Sequence, residues 1–195
     1  MARRYKRGDP VVYYDNGKAT PCFFGGKMGA YRVLSSTPDL ESGWGIPLAS
    51  VADSVFPAPN RHGCYPLELA DKLEYRRDHS FQVAVYSLRI TPDSWITATE
   101  YRIGSKFRAT PLTASQKFPT LEAALTASLV PMLRDLGRLA AGAPNGITAE
   151  ALNSTSMKSV QRHAQLAIYE LLHALPSPVR SDIIMLLMGS TNGNG

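Results

Sequence analysis

Cysteine is scarce: the 195-residue chain has two, Cys22 and Cys64. Two thiols cannot build a disulfide framework, and a reduced, cytoplasmic setting is the expectation that follows. Long hydrophobic runs are missing as well. The most apolar stretch, 183–188, is far short of the roughly 18 residues that a spanning helix needs, so no membrane partner is expected. The basic start MARRYKRGDP has no apolar run behind it, which argues against a signal peptide. Walker A, Gly-x-Gly-x-x-Gly, His-Glu-x-x-His and Gly-x-Ser-x-Gly patterns are all absent. Neither charge sign dominates: 21 Lys or Arg face 16 Asp or Glu, a net charge of +5 that favours an acidic partner only modestly. What remains is the composition of a folded protein, 44% hydrophobic and 19% charged, long enough to bury a core without disulfides or metal.

The first sixty residues read as β structure. The run 11–14 (VVYY) is a short strand signal, and Asn16-Gly17 after it marks a type I′ hairpin turn, where both central residues need positive φ. The return strand is expected over 18–24, at an edge or interrupted because of Pro21. Gly25-Gly26-Lys27-Met28-Gly29 is expected to form the next turn, 30–34 a third strand, and 45–48 a short fourth. Residues 49–56 suggest a short helix before Pro57 and Pro59.

This layout, a basic arm, Gly-Asp, then short strands with tight turns, resembles a small SH3-like or KOW-like β-barrel over residues 6–56. The resemblance implies a closed barrel that binds nucleic acid or peptides. It rests on turn spacing and has no diagnostic motif.

Residues 61–80 read as a connecting segment, with a short helix around 67–73 and a mixed-charge, solvated face over 71–78. Strand alternation resumes at 81–90 (FQVAVYSLRI) and 95–103 (WITATEYRI) across a Pro-Asp turn, with a third strand over 106–112. An antiparallel meander of this kind needs helices over one face. The first is expected over 120–141, where Leu121, Leu125, Leu129, Met132, Leu136 and Leu139 recur at spacings of three and four; Pro131 should kink or split it. A second begins after Thr148 or Ser156 and runs to about Ala174. Ser177-Pro178 starts a third, short helix. The tail 190–195 is expected to fray. The domain reading is therefore a basic arm and small β subdomain (1–60), the connector (61–80), and a sheet with helices (81–189), in an α+β fold.

Chemistry-bearing residues are few. His62-Gly63-Cys64 puts one residue between candidate ligands where structural zinc sites have at least two, so no metal is expected. Cys64 with His62 or His79 would make a nucleophilic pair only with an exposed sulfur activated by a neighbour. Asp39 and Glu41 share a loop, where acidic residues are ordinarily solvated. No cofactor is expected.

The basic residues say more. Arg3, Arg4, Lys6 and Arg7 cluster around Tyr5, and Lys18, Lys27 and Arg32 fall in or beside the turns of the β subdomain. Such an arm can lie along phosphates. Tyr13, Tyr14, Phe23, Phe24, Tyr31 and Trp44 offer stacking faces for bases. Arg76-Arg77, Arg102, Lys106 and Arg108 extend the basic set. The expectation is a non-catalytic accessory or regulatory protein that holds DNA or RNA through phosphates, using Arg3, Arg4, Lys6, Arg7, Lys18, Lys27, Arg32 and Trp44. The alternatives are an assembly component with a protein partner, or self-association, through the C-terminal helices, and an enzyme with its site between the two halves.

Overall fold

The computed structural model describes residues 5–77, 79–143 and 157–189. The N-terminal alternation becomes five strands: β1 (Pro10–Asp15), β2 (Lys18–Met28), β3 (Tyr31–Ser35), β4 (Gly43–Pro47) and β5 (Val55–Pro57). A 3-10 turn at Leu48–Ser50 and one helical turn, α1 (Val51–Ser54), link β4 to β5. The β1–β2 turn is as expected, with Asn16 and Gly17 both at positive φ and Asp15 opposite Lys18.

The strands form one sheet in the order β4-β3-β2-β1-β5. The expected SH3-like or KOW-like barrel is overturned here, because β4 and β5 are the two edges of an open sheet and no ladder joins them among the described residues. Both edge strands end in proline, Pro47 and Pro57, which has no N–H to donate to a closing ladder. The reach of β2 also differs from the expectation. It runs on through Gly25 and Gly26, with its register shifting between Phe24 and Lys27. A Cβ on Gly25 would lie 2.7 Å from the Val33 carbonyl oxygen, so glycine there serves a bulge and not the turn. The turn itself falls at Gly29 and Ala30. Pro21 sits in a strand that is internal to the sheet. The β2–β3 ladder begins only at Phe23, so at Pro21 the strand pairs with β1 alone and no donor is missed. One face of the sheet buries Val11, Cys22, Phe24, Leu34, Ile46 and Val55.

The second sheet has the order β6-β7-β8-β9: β6 (Asp71–Arg77), β7 (Phe81–Thr91), β8 (Ser94–Ile103) and β9 (Lys106–Ala109). The paired strands at 81–90 and 95–103 are found as expected. Within the segment read as a connector, the expected short helix is a 3-10 turn at Leu67–Leu69, and the charged face at 71–77 is exposed as expected but lies on strand β6. Leu73 and Tyr75 turn to one side while Lys72, Glu74 and Arg76 turn to the other, and β6 is an edge, where charge discourages further pairing.

Among the described residues three helices follow: α2 (Leu121–Ala140), α3 (Met157–His173) and α4 (Ser177–Gly189). Helix α2 is one continuous span with Pro131 inside, so the split does not occur. Helix α3 buries Val160, Ala164, Ala167 and Leu171, and α4 buries Val179 and Ile183. These side chains join Phe81, Val83, Val85 and the α2 leucines in one core. The expected second-helix start at Thr148 or Ser156 and the frayed tail lie outside the described residues.

By contacts the chain forms two units. One joins the chain up to Asp71 with Leu88–Ile96 and Leu112–Thr120. The other joins Lys72–Ser87, Thr97–Pro111 and the chain from Leu121 onward.

Candidate nucleic-acid interface

In the first unit the segment 6–9 forms a turn fastened to β2. The Lys6 N–H donates to an Asp9 carboxylate oxygen at 2.6 Å, and the Asp9 N–H returns to the Lys6 carbonyl at 3.1 Å. Gly8 sits at φ 90 and donates its N–H to the Phe24 carbonyl at 2.7 Å, while the Phe24 N–H donates to the Asp9 carbonyl at 2.8 Å. The exposed side chains of Lys6 and Arg7 are thereby held at one point of the sheet.

The Phe24 ring is the anchor of that point. Tyr5 packs on it with centroids 5.0 Å apart, and the Tyr5 hydroxyl donates to the Val55 carbonyl at 3.2 Å. The Arg32 guanidinium lies 5.3 Å from the centroid of the same ring. Lys27 stands directly across from Arg32 in the β2–β3 ladder, and cross-strand partners share a face. Arg32 thus lies over the Phe24 ring with Lys27 as its cross-strand partner, and the turn that carries Lys6 and Arg7 is bonded to the Phe24 backbone. Asp9 is the carboxylate among them, and one of its oxygens is engaged by backbone.

The other expected contact residues are placed elsewhere. Lys18 is exposed at the far end of β2, nine residues from Lys27, which is roughly 30 Å along an extended strand. Trp44 is half-buried against the sheet core, edge-on to Tyr13 at 6.2 Å. Arg3 and Arg4 lie outside the described residues. Most of the aromatics proposed as stacking faces are engaged internally: Phe24 is buried, Tyr14 packs edge-on to Phe56 at 5.4 Å, and Tyr13 meets Trp44. Tyr31 is exposed, but it lies across from Met28 on the face opposite Lys27 and Arg32.

Sequence reasoning missed how the basic residues of the second unit are arranged. Arg102 lies across from Phe107, 5.2 Å from its ring centroid, whereas Lys106 and Arg108 pair with Ile103 and Tyr101 on the other face. Those three residues therefore form no single stripe. Arg77 instead joins residues of α3 around a cavity of about 410 Å³ lined by Arg77, Lys158, Ser159, Arg162, His163 and Leu166. The signal available in the sequence was the Leu73–Tyr75–Arg77 alternation, which sets Arg77 on the side of the core residues.

The remaining candidates are structural. The Asn60 side chain accepts the N–H groups of His62 and Cys64, which makes the 60–64 loop a side-chain-capped turn. The Cys64 thiol is near the His62 carbonyl, not its imidazole, and the His62 ring takes the Arg61 Nε–H at 3.0 Å. Cys22 and Cys64 are both free thiols, and burial pushes the Cys22 thiol up, away from the reactive thiolate. Asp39 receives the Thr37 hydroxyl at 2.5 Å and the Glu41 N–H at 3.1 Å, and these bonds hold its carboxyl below its ordinary range. It shapes its loop and is not poised as an acid. Among the described residues no three His, Cys, Asp or Glu side chains group as metal ligands, and no helix is long and apolar enough to cross a membrane.

No family model, curated protein or solved structure matches the chain.

Proposed function

We propose that the protein binds a nucleic-acid strand through its phosphates, without catalysis, at the cationic end of the first sheet. The reading rests on one observation: Arg32 lies over the Phe24 ring, Lys27 is its cross-strand partner, and the turn that carries Lys6 and Arg7 is bonded to the Phe24 backbone. Four cations with one carboxylate beside them suit the repeating charge of a phosphodiester backbone. The aromatics of the sheet are mostly spent on its own core, so affinity comes from phosphates and not from stacked bases. Binding is therefore expected to be indifferent to sequence and strongly weakened by salt. A fluorescence-anisotropy titration with mixed-sequence single- and double-stranded oligonucleotides tests this. Similar affinities for unrelated sequences, falling as salt rises, are the expected outcome. A strong sequence preference that survives high salt would contradict it.

A second reading, contact with a protein partner, is favoured by α4. Ile184, Met185, Leu186 and Met188 are all solvent-exposed on it, Met185 at 63% and Met188 at 67%. The helix is apolar nearly all round over 183–188, which is usual for a helix covered on all sides. Met185→Glu with Met188→Glu is expected to leave stability within about 0.5 kcal/mol, as exposed positions allow, while reducing any concentration-dependent association seen by light scattering. Association unchanged by the double substitution would remove α4 from that role.

A further inference from the structure

The cavity of the second unit is built by a strand laid against a helix. Along β6 the side chains of Leu73, Tyr75 and Arg77 share one side. Tyr75 is buried, packs edge-on to Phe81 at 5.9 Å, and brings its hydroxyl to Nδ1 of His163 on α3 at 3.2 Å. The His163 ring also packs on Phe81, centroid to centroid at 5.7 Å. These contacts fix strand and helix together at His163. Arg77 is the next residue on the same side of β6, and Ser159 lies one helical turn before His163. Lys158 and Arg162, one turn apart on α3, also line the cavity.

The lining carries the cations of Arg77, Lys158 and Arg162, the Ser159 hydroxyl, the His163 imidazole, one leucine and no carboxylate. Among the described residues no carboxylate is paired with Arg77, Lys158 or Arg162. Lys72, by contrast, is paired with Glu74 on the other side of the same strand. Three like charges beside one cavity repel one another unless an anion joins them.

We propose that this cavity binds a phosphate monoester, the terminal phosphate of a nucleotide or of a nucleic-acid 5′ end. A monoester carries about −1.5 to −2 charges at neutral pH and three strong acceptor oxygens, whereas each backbone diester carries one charge. Arginine guanidinium forks match phosphate oxygens in pairs. The volume of about 410 Å³ falls in the range of roughly 300–1,000 Å³ usual for small-molecule sites, more than a bare ion requires. Leu166 supplies an apolar wall for the group that bears the phosphate. The proposal uses residues of the second unit only and stands apart from the Phe24 cluster.

Calorimetric titration of the full chain with adenosine 5′-monophosphate and with adenosine tests it. Saturable binding of the monophosphate and none of the nucleoside is expected. Arg77→Gln and Arg162→Gln should each weaken it about tenfold, the scale of one lost hydrogen bond to a charged group. Both side chains are exposed, so the far-UV circular dichroism and melting temperature of the free protein should be retained. Lys27→Gln with Arg32→Gln should leave monophosphate binding unchanged. Displacement by a 5′-phosphorylated but not a 5′-hydroxyl oligonucleotide would assign the site to strand ends, and no displacement by either would assign it to free nucleotides. Equal binding of nucleoside and monophosphate, no binding of the monophosphate, or binding untouched by both arginine substitutions would overturn the proposal.

Discussion

Replacing Phe24 by Ala is expected to cost about 3–5 kcal/mol, the usual penalty for emptying a buried aromatic site, and to abolish phosphate binding at the first unit with it. The ring is 3% exposed, and it packs on Tyr5 on one side and beneath Arg32 on another. Its loss opens a cavity and removes the ring on which Tyr5 packs and over which Arg32 lies. A urea titration followed by circular dichroism measures the first effect and oligonucleotide anisotropy the second. Phe24→Leu separates them: it keeps most of the apolar volume, so the fold should largely survive while the ring contacts to Tyr5 and Arg32 are lost. An unchanged denaturation midpoint for Phe24→Ala would contradict the packing described.

Phe81→Ala is expected to be as severe in the second unit, again about 3–5 kcal/mol. Phe81 is 1% exposed at the start of β7 and carries both Tyr75 and His163 on its ring. Its removal should lower the denaturation midpoint and release β6 from α3. Hydrogen exchange at the β6 amides should then quicken more than exchange at β1 or β2. Equal protection of β6 in parent and variant would show that the strand is held by something other than this aromatic contact.

The parts of this arrangement differ in how far they can be read from residues alone. The strands at 81–90 and 95–103 and the Asn16-Gly17 hairpin follow from period-two alternation and from a turn that demands positive φ, both of which are local. The helix at 121–140 follows from its leucine spacing, and it runs through Pro131 as one span and is not split there. Strand β6 was obscured because its outward charges outnumber Leu73 and Tyr75, the two apolar side chains that set its period. The closed barrel was wrong because closure depends on which edges meet, a long-range property that turn spacing does not encode. At the candidate site, the cluster of Lys6 and Arg7 was legible as charge. Its union with Lys27 and Arg32 depended on the β2–β3 register, which the glycine bulge at Gly25 shifts. Trp44 and Lys18 looked equivalent to the others in sequence, yet one is turned to the core and the other lies at the opposite end of its strand. The cavity at Arg77 needed a strand and a helix more than eighty residues apart to meet through Tyr75 and His163.

The most direct measurement compares the salt dependence of binding for the parent and for a variant carrying Lys6→Gln, Arg7→Gln, Lys27→Gln and Arg32→Gln. Glutamine removes each charge while keeping much of the stem, so the packing of Arg32 on Phe24 is disturbed least. Each phosphate neutralised on a single strand adds roughly 0.7 to the slope of log affinity against log salt. If all four cations make contacts, the slope should flatten by about 3 units, by the same amount for unrelated sequences. No detectable binding by the parent at low salt, or the same slope for parent and variant, would contradict the account.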